Sequence, residues 1–384
     1  MSGASLVIQT SFLGDTVLTT PLIAELARRG PVDVVVTPAS AGLLANNPFV
    51  RKLYVYDKRG RDSGARGLLR LARRIERDSR DGAISTATPL VERTAYLAQG
   101  SVRSASLALL AGFRRRVGFD SSPASVLYTR RIPYDRSVHH AERLWRLAAP
   151  PGDSPAPEMP PPRLYPGESE RAAVDALLGP GHDGRPLVAL APGSVWGTKR
   201  WPYYPELAAR IAPHCRLAII GSAQDSDAAR HIVRAADAQG VVDATGKLSL
   251  LASAELVGRA DLLVTNDSSP QHLASAMATP TITIFGPTVP AFGFGPLAPR
   301  STTLGHPSLP CRPCSHHGPP TCPLGHWKCM RELGVEVVEE AVAGILEGVM
   351  GKQRAEGTDG QGSGGRVQGA GTTRRSGSLP RGSS

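Results

Sequence analysis

Short runs of aliphatic residues alternate with segments of helical periodicity in the first half of the chain. Strands are predicted at residues 6–8 and 32–37, and apolar residues at helical spacing follow over 16–29 and 39–46. A further helix is predicted over residues 64–80, with Leu and Ile on one face and Arg elsewhere. Because strands separated by helices pair in parallel, this alternation predicts an α/β fold with a doubly wound parallel sheet.

The same alternation restarts after a proline-rich stretch at residues 149–166, which is typical of an extended linker between domains. Strands are predicted at 187–190, 217–220, 241–242, 262–264 and 281–285, with helices at 204–212, 225–238, 250–259 and 270–278. We therefore predict two Rossmann-like domains, 1–165 and 166–333, followed by a helix at 334–351 and a disordered tail at 352–384.

Charge is divided unevenly between these halves. The 384 residues carry a formal net charge of +11, but residues 1–150 hold 23 Lys/Arg against 12 Asp/Glu, and residues 151–351 hold 15 against 19. A basic chain is typical of proteins that bind nucleic acid, a membrane surface or an acidic substrate. The split is typical of an enzyme with different substrates on its two halves, and a compositional bias toward Arg is the alternative. The sequence shows neither a membrane-spanning apolar run nor a signal peptide pattern, so we expect a cytoplasmic protein.

Polar residues follow two of the predicted strands, and ligands of open α/β sheets bind at the carboxyl ends of strands. Asp15 comes after the first strand, next to Gly14, and is either a helix N-cap or a general base. The loop at residues 190–202 predicts a phosphate cradle built from glycines, hydroxyls and one cation: Gly193, Gly197, Ser194, Thr198 and Lys199. The alternative for Lys199 is a solvated surface charge.

A third loop follows the strand at 262–264 and opens a helix. Ser268 or Ser269 fits as the N-cap and Pro270 lies in the first turn, so the dipole of this helix would favour a bound phosphate. His272, one turn later, either donates to the anion or is a buried histidine bonded to the backbone.

Four of the five cysteines lie within residues 311–329, with three histidines among them. Such a cluster in a cytosolic protein predicts a structural zinc site with the ligands Cys311, Cys314, Cys322 and Cys329. The spacing departs from a paired zinc ribbon, because only the first two cysteines are two residues apart. Disulfides and reduced, packed thiols therefore stay open as alternatives.

Taken together, these loops resemble glycosyltransferase family nine, the ADP-heptose:lipopolysaccharide heptosyltransferases, most closely the heptosyltransferase II branch. The matching stretches are residues 6–21, 191–202, 221–227, 245–290 and the cysteine segment 311–333. The resemblance implies a GT-B fold, in which two Rossmann-like domains face each other across a cleft, with the acceptor on the first and the donor on the second. It also implies an inverting transferase that requires no cofactor and moves a heptose or related sugar from an ADP-sugar to a lipopolysaccharide-core or similar cell-envelope glycan.

The resemblance also assigns roles to individual residues. Asp15 matches the family base that deprotonates the acceptor hydroxyl, and Lys199 matches the lysine that neutralises the leaving diphosphate. Donor binding is implied for phosphate, ribose and sugar contacts at Ser194, Thr198, Lys199, Asp225, Asp267, Ser268, Ser269 and His272. The family usually has Gly where this chain has Ser269, so strain or a shifted donor is expected there if that position needs a positive φ or a close phosphate.

The basic half is expected to meet an anionic partner. Arg66, Arg70, Arg73 and Arg74 on the helix at 64–80 are candidates for contact with a glycolipid acceptor or the inner membrane surface, and a solvated surface helix is the alternative. Three other functions stay open: another GT-B nucleotide-sugar enzyme such as an epimerase, an inactive nucleotide-sugar-binding relative, and a nucleic-acid-binding protein. Nucleic acid is disfavoured, because the Cys/His cluster lies in the acidic half.

Overall fold

The computed structural model describes residues 3–86, 93–149, 158–180, 183–237 and 240–359, without the side chains of residues 80–86 and 349–359. The described residues up to Leu346 form one compact unit, and a second unit begins at Glu347. Within the first unit, helices and strands alternate in two successive sets.

The first set begins at Ser5 and ends at Arg146. Its strands are β1 (Ser5–Gln9), β2 (Val32–Val36), β3 (Val50–Val55), β4 (Thr94–Leu97), β5 (Arg115–Phe119) and β6 (Arg130–Ile132). Its helices are α1 (Leu13–Leu18), α2 (Thr20–Ala27), α3 (Pro38–Ala41), α4 (Gly64–Thr86), α5 (Val102–Leu110) and α6 (His140–Arg146).

The second set begins with a helix at Glu168. Its strands are β7 (Leu187–Ala191), β8 (Arg216–Ile219), β9 (Val241–Asp243), β10 (Leu262–Asn266), β11 (Thr281–Phe285) and β12 (Ser301–Gly305). Its helices are α7 (Glu168–Leu178), α8 (Tyr204–Ile211), α9 (Ser226–Ala236), α10 (Leu250–Arg259), α11 (Ser269–Met277), α12 (Lys328–Arg331) and α13 (Val335–Asp359).

Each set folds into a parallel sheet of six strands, and the strand order is the same in both. The orders are β3-β2-β1-β4-β5-β6 and, read from the other edge, β9-β8-β7-β10-β11-β12. The central strands pair in register, for example Val7 with Val34 and Leu190 with Val264. This is the doubly wound order, in which successive strands are added toward one edge of the sheet and then, from the fourth strand of each set, toward the other edge. The α/β prediction is confirmed.

The central strands are buried along their whole length, because helices cover both faces of each sheet. Every residue of β1, β2, β7, β10 and β11 is buried. Parallel sheets require such burial, and the near-continuous Val, Ile and Leu runs of these strands satisfy it. The carboxyl ends of the strands are therefore held on a rigid frame.

Two of the helix boundaries that differ from the sequence prediction have a local cause. The helix predicted over 16–29 is two helices, because Pro21 has no N–H for the carbonyl of Val17, and the Thr20 hydroxyl donates to that carbonyl instead at 2.7 Å. The last helix, α13, continues to Asp359 rather than ending at residue 351. Residues 352–356, KQRAE, are good helix formers, which accounts for the extension.

The predicted linker and tail are only partly covered. Residues 150–157 and 360–384 lie outside the described residues. Within the remainder of the linker, Leu164 is buried and the Arg163 N–H donates to the Thr20 hydroxyl at 3.0 Å. The borders of the two predicted domains stay a prediction.

Candidate active site

Four strand ends from the two sheets border one cavity of about 410 Å³. The loops after β1, β4, β7 and β10 contribute Asp15, Gln99, Ser194 and Asp267 to its wall. The order of strands reverses between β1 and β4 in the first sheet and between β7 and β10 in the second. Such switch points form ligand crevices in open α/β sheets. Both crevices open into the same cavity, so a ligand of one half can meet a ligand of the other.

Asp15 lies in the first turn of α1, at the third helical position. It is therefore not the N-cap of this helix, which was one of its two predicted roles, because Phe12 occupies the N-cap position. The Phe12 N–H donates to Asp15 Oδ2 at 3.4 Å, and the Ser11 hydroxyl donates to the same oxygen. The other carboxylate oxygen, Oδ1, lies 3.8 Å from Nε2 of His140. Asp15 is thus held as a hydrogen-bonded carboxylate that faces the cavity.

Lys199 and Asp267, both from the second set, form a buried ion pair on the cavity wall. Lys199 Nζ donates to Asp267 Oδ2 at 2.6 Å, and each residue is 7% exposed. Asp267 also accepts from Thr288 Oγ1 at 2.6 Å and from Gln271 Nε2 at 2.8 Å. Lys199 is therefore no solvated surface charge, since it is buried, paired and on the cavity wall. The sequence placed both residues in strand-end loops, but not in contact with each other.

His272 from α11 packs directly on Gly14 of α1. A Cβ atom at Gly14 would lie 2.5 Å from His272 Cδ2, so only glycine leaves room for the ring. His272 is buried, and its Nδ1 has no hydrogen-bond partner among the described residues, which excludes the predicted backbone bond for that atom. Burial lowers the pKa of His272 to about 4, so the imidazole is neutral near pH 7.

Three serines on the cavity wall were predicted to contact the donor. Ser194 Oγ accepts from the Trp196 N–H at 3.2 Å, and Ser268 Oγ lies 3.4 Å from the Gly193 carbonyl oxygen. Ser269 is the first residue of α11 and has no positive φ. The serine in place of the family glycine therefore introduces no backbone strain of that kind.

Two predicted donor-binding residues, Thr198 and Asp225, are not among the described residues that line the cavity. The Thr198 hydroxyl donates to the Pro319 carbonyl, so it is engaged by the cysteine-containing segment. Asp225 accepts from the Ser222 N–H at 2.9 Å and from its hydroxyl at 2.7 Å, in the turn that opens α9. Its carboxylate also lies against the Gly193 backbone, beside the loop that contributes Ser194.

The predicted acceptor-binding arginines lie on the outer face of α4. Arg66, Arg70, Arg73 and Arg74 are exposed, whereas Leu71, Ala72 and Ile75 of the same helix are buried in the core. None of the four borders the cavity formed by the described residues. In the part of the chain that the structure describes, no helix has the length and apolar character needed to cross a bilayer.

Several cavity residues were not singled out from the sequence. They include Gln99, Tyr134, His140 and Phe294. The His317 ring lies between Phe12 and Trp196, with centroid distances of 5.6 and 6.2 Å. Long-range contacts with the second half bring His140 to the site, since its backbone N–H donates to the Gly293 carbonyl at 2.7 Å.

The cysteine-rich segment holds free thiols. All five cysteines are unpaired, and the described residues contain no group of three or more His, Cys, Asp or Glu placed to hold a metal ion. Cys311 Sγ lies 3.9 Å from His326 Nε2, and the Cys314 thiol donates to the Cys311 carbonyl at 3.2 Å. Burial raises the pKa of Cys329 to about 11. No disulfide joins any of the described cysteines, and the choice between zinc and packed thiols stays a prediction.

Comparison with known proteins places this arrangement in a family. The sequence profile of glycosyltransferase family 9 (heptosyltransferase) matches residues 92–327. The lipopolysaccharide heptosyltransferase 1 of Pseudomonas aeruginosa is 30% identical over 328 residues, which cover 80% of this chain and 85% of that protein.

Solved structures share the same architecture. The ADP-heptose lps heptosyltransferase II of Escherichia coli matches with a TM-score of 0.72 and 22% identity, over 91% of this chain and 99% of that one. An Escherichia coli heptosyltransferase solved with ADP matches with a TM-score of 0.64 and 20% identity, over 89% of this chain and 99% of that one. These matches confirm the predicted GT-B fold.

Proposed function

This chain belongs to glycosyltransferase family 9, and we propose that it transfers a heptose or related sugar from an ADP-sugar to a lipopolysaccharide-core or similar cell-envelope glycan. The observation that supports the proposal is that Asp15, from the first set of strands, and the Lys199–Asp267 pair, from the second set, line one cavity. A transferase of this kind needs a base to deprotonate its acceptor and a cation to neutralise its leaving group. In this cavity between two Rossmann-like folds, Asp15 would be the base and Lys199 the cation.

Asp15 is the proposed general base. Its Oδ2 is occupied by donors from Ser11 and Phe12, so Oδ1 is the oxygen available for the proton of the acceptor hydroxyl. As that proton moves to Asp15, the acceptor oxygen forms a bond to the anomeric carbon and the bond from that carbon to the diphosphate breaks. Attack from the face opposite the leaving group inverts the anomeric centre.

Lys199 is the proposed partner of the departing diphosphate, which leaves with the electron pair of the broken bond. Its ammonium group is buried and already oriented by Asp267, so little reorganisation is needed when negative charge develops. An ammonium has three donors and a carboxylate about four acceptor positions. The pair can therefore stay intact while Lys199 contacts phosphate and Asp267 accepts from a sugar hydroxyl.

The other proposed donor contacts come from residues near Lys199 and Asp267 in the second set. Ser194, Ser268 and Ser269 present hydroxyl or backbone groups to the cavity, and neutral His272 offers one N–H. Asp225, beside Gly193, is the proposed ribose contact at the edge of this site. An ADP-sugar is the preferred donor because relatives bear ADP-heptose in their names and one was solved with ADP.

The reaction is tested by offering ADP-heptose and uridine diphosphate sugars with lipopolysaccharide core to the wild-type protein and to Asp15→Asn and Lys199→Met. We expect transfer from ADP-heptose with inversion, visible in the anomeric signals of the product. Asp15→Asn should lower kcat by about 100-fold or more, because the base is lost. Lys199→Met should lower it by roughly 100- to 1,000-fold, because charge on the leaving group is no longer neutralised.

Asp227→Asn is the matched control, since the Asp227 side chain is 81% exposed on α9. A preference for uridine nucleotides would contradict the ADP assignment, and full activity of Asp15→Asn would contradict the base. An altered free sugar without transfer would indicate an epimerase, and nucleotide binding without turnover would indicate an inactive relative.

The proposed steps use side chains alone and draw on no cofactor. Zinc on the four cysteines of residues 311–329 stays a prediction without support from the geometry of the described residues. Elemental analysis of the purified protein decides it: one zinc per chain would establish the site, and none would leave the thiols as packing groups.

The acceptor side of the proposal involves an anionic surface. The exposed arginines of α4 lie on the basic half, and they are the proposed contact with an anionic glycolipid or with the inner face of the membrane that holds it. Such a protein would work from the cytoplasm as a peripheral enzyme. Duplex DNA or RNA is no part of this proposal, and salt-sensitive binding to either would count against it.

A further inference from the structure

One polar side chain that faces Asp15 has no role in the reaction described so far. His140 Nε2 lies 3.8 Å from Asp15 Oδ1, the carboxylate oxygen that is left after Ser11 and Phe12 bond to Oδ2. The ring borders the cavity and is 9% exposed. It therefore faces the same oxygen that takes the acceptor proton in the proposed reaction.

The surroundings of His140 fix the direction of its ring. Its backbone N–H donates to the Gly293 carbonyl at 2.7 Å, and the ring packs on Phe294 with a centroid distance of 4.7 Å. The preceding residue, His139, caps α6 by accepting from the Ala141 N–H at 3.1 Å and bonds to the Gly295 carbonyl at 2.9 Å. A loop of the second half thus holds the imidazole against the base of the first half.

The burial of the ring decides which nitrogen carries the proton. Nδ1 is buried without a hydrogen-bond partner among the described residues, and a buried N–H without a partner is rarer than an unpaired acceptor. The hydrogen of the neutral ring therefore belongs on Nε2, toward Asp15. Burial, with Arg143 and His139 nearby, lowers the pKa of His140 to about 3, so the ring is neutral near pH 7.

We propose that His140 is a positioning residue for the base, whose Nε2–H orients Asp15 Oδ1 and favours its ionised form. The inference rests on the proposed role of Asp15. An N–H dipole 3.8 Å from Oδ1 already favours the charged carboxylate in the free protein, and contacts of catalytic groups commonly shorten further in the reacting complex. The other titratable groups around the pair are His139 and Arg143 on α6 and His272 on α11.

The test compares His140→Gln, which keeps an N–H donor, with His140→Met, which has nearly the same shape but no donor. Carbon-13 NMR of labelled aspartate follows the titration of the Asp15 carboxyl, with Asp15→Asn to assign the signal. We expect the midpoint to rise by about half to one pH unit in His140→Met and to return toward wild type in His140→Gln. His140→Phe, which keeps the ring packing on Phe294, provides a second donor-free variant.

Activity gives a parallel readout. In His140→Met the acidic limb of the kcat/KM profile should move to higher pH with the carboxyl, and kcat should fall about tenfold with KM within twofold. Equal midpoints in wild type, His140→Gln and the donor-free variants would overturn the inference. If the midpoint moves as expected but no donor is turned over by the wild type, His140 still positions the carboxyl and the proposed function is the part that fails.

Discussion

Single residues on the cavity wall bring together parts of the chain that are distant in sequence. The Gly14 backbone touches the His272 ring, and the Lys199–Asp267 pair joins loops that are 68 positions apart in the chain. Each of these contacts is between a residue that carries the proposed chemistry and a neighbour that limits its position. Small changes there should therefore have large effects.

The first prediction concerns Gly14→Ala. The added Cβ would lie 2.5 Å from His272 Cδ2, so α1 or α11 must shift, and we expect a loss of roughly 1–3 kcal/mol in the free energy of unfolding together with reduced kcat. Urea titration and initial rates measure the two effects. Gly42→Ala is the matched control, since Gly42 has open space around its Cβ position, and this variant should be neutral or slightly more stable.

Adding His272→Ala to Gly14→Ala removes the ring that the new methyl group meets. The double variant should recover part of the lost packing relative to the sum of the single changes, since the two residues are in contact. Strict additivity would show that the Gly14–His272 contact carries no steric constraint.

Much of the candidate site was predictable because its residues follow strands. Asp15, Lys199 and Asp267 were all located by the rule that ligands bind at the carboxyl ends of parallel strands. Their partners were not, since a contact such as Asp267 with Thr288 depends on how two distant loops pack. For the same reason the sequence offered no ground for choosing His140, whose position depends on residues 293–295.

Among the strands, those that are buried on both faces were predicted from the sequence, and most of those with exposed residues were missed. The central strands β1, β2, β7, β10 and β11 have long aliphatic runs because both of their faces are covered. The strands that escaped prediction are three of the four edge strands, β3, β6 and β12, and the inner strands β4 and β5 of the first sheet. Several of these carry arginine or threonine on partly exposed faces, so their apolar pattern is weak.

The second prediction belongs to α4, whose outer face carries the candidate arginines. Replacing Arg66, Arg70, Arg73 and Arg74 with Gln should weaken binding to vesicles with anionic lipid by at least tenfold at low salt, since each basic residue contributes about 1 kcal/mol near such a surface. The buried face of the helix is unchanged, so the fold should persist. Vesicle sedimentation measures the effect.

A control separates charge from structure on α4. Transfer to a soluble, truncated acceptor should stay within about twofold of wild type, because the four arginines do not border the cavity formed by the described residues. Unchanged vesicle binding would show that the arginines form an ordinary solvated face. Lost transfer to the soluble acceptor would instead place them in acceptor binding itself.

For the molecule as a whole, buried histidines should make stability depend on pH. Burial lowers the pKa of His140 to about 3 and of His272 to about 4, against an ordinary value of 6.5. The unfolded chain therefore takes up protons first as pH falls below about 6.5. The contribution of these histidines to the free energy of unfolding is fully present above about pH 6.5. It is lost progressively as the pH falls toward the pKa values of the folded state.

The third prediction is the size of this loss. We expect the free energy of unfolding to fall by roughly 1 kcal/mol per pH unit for each of the two histidines between about pH 6 and pH 4.5. His272→Gln should show a shallower slope in urea titrations at several pH values. His231→Gln, at an exposed position, should keep the wild-type slope, and equal slopes in all three proteins would contradict the assignment.

The contact between Gly14 and His272 also has a mechanical consequence. With the ring resting on a residue that has no side chain, helices α1 and α11 are already in contact at this point. Because α1 and α11 cannot approach each other here, any motion that narrows the cavity has to turn about this contact. Asp15, the proposed base on α1, and the helix that carries His272 would keep their separation as substrates enter and products leave.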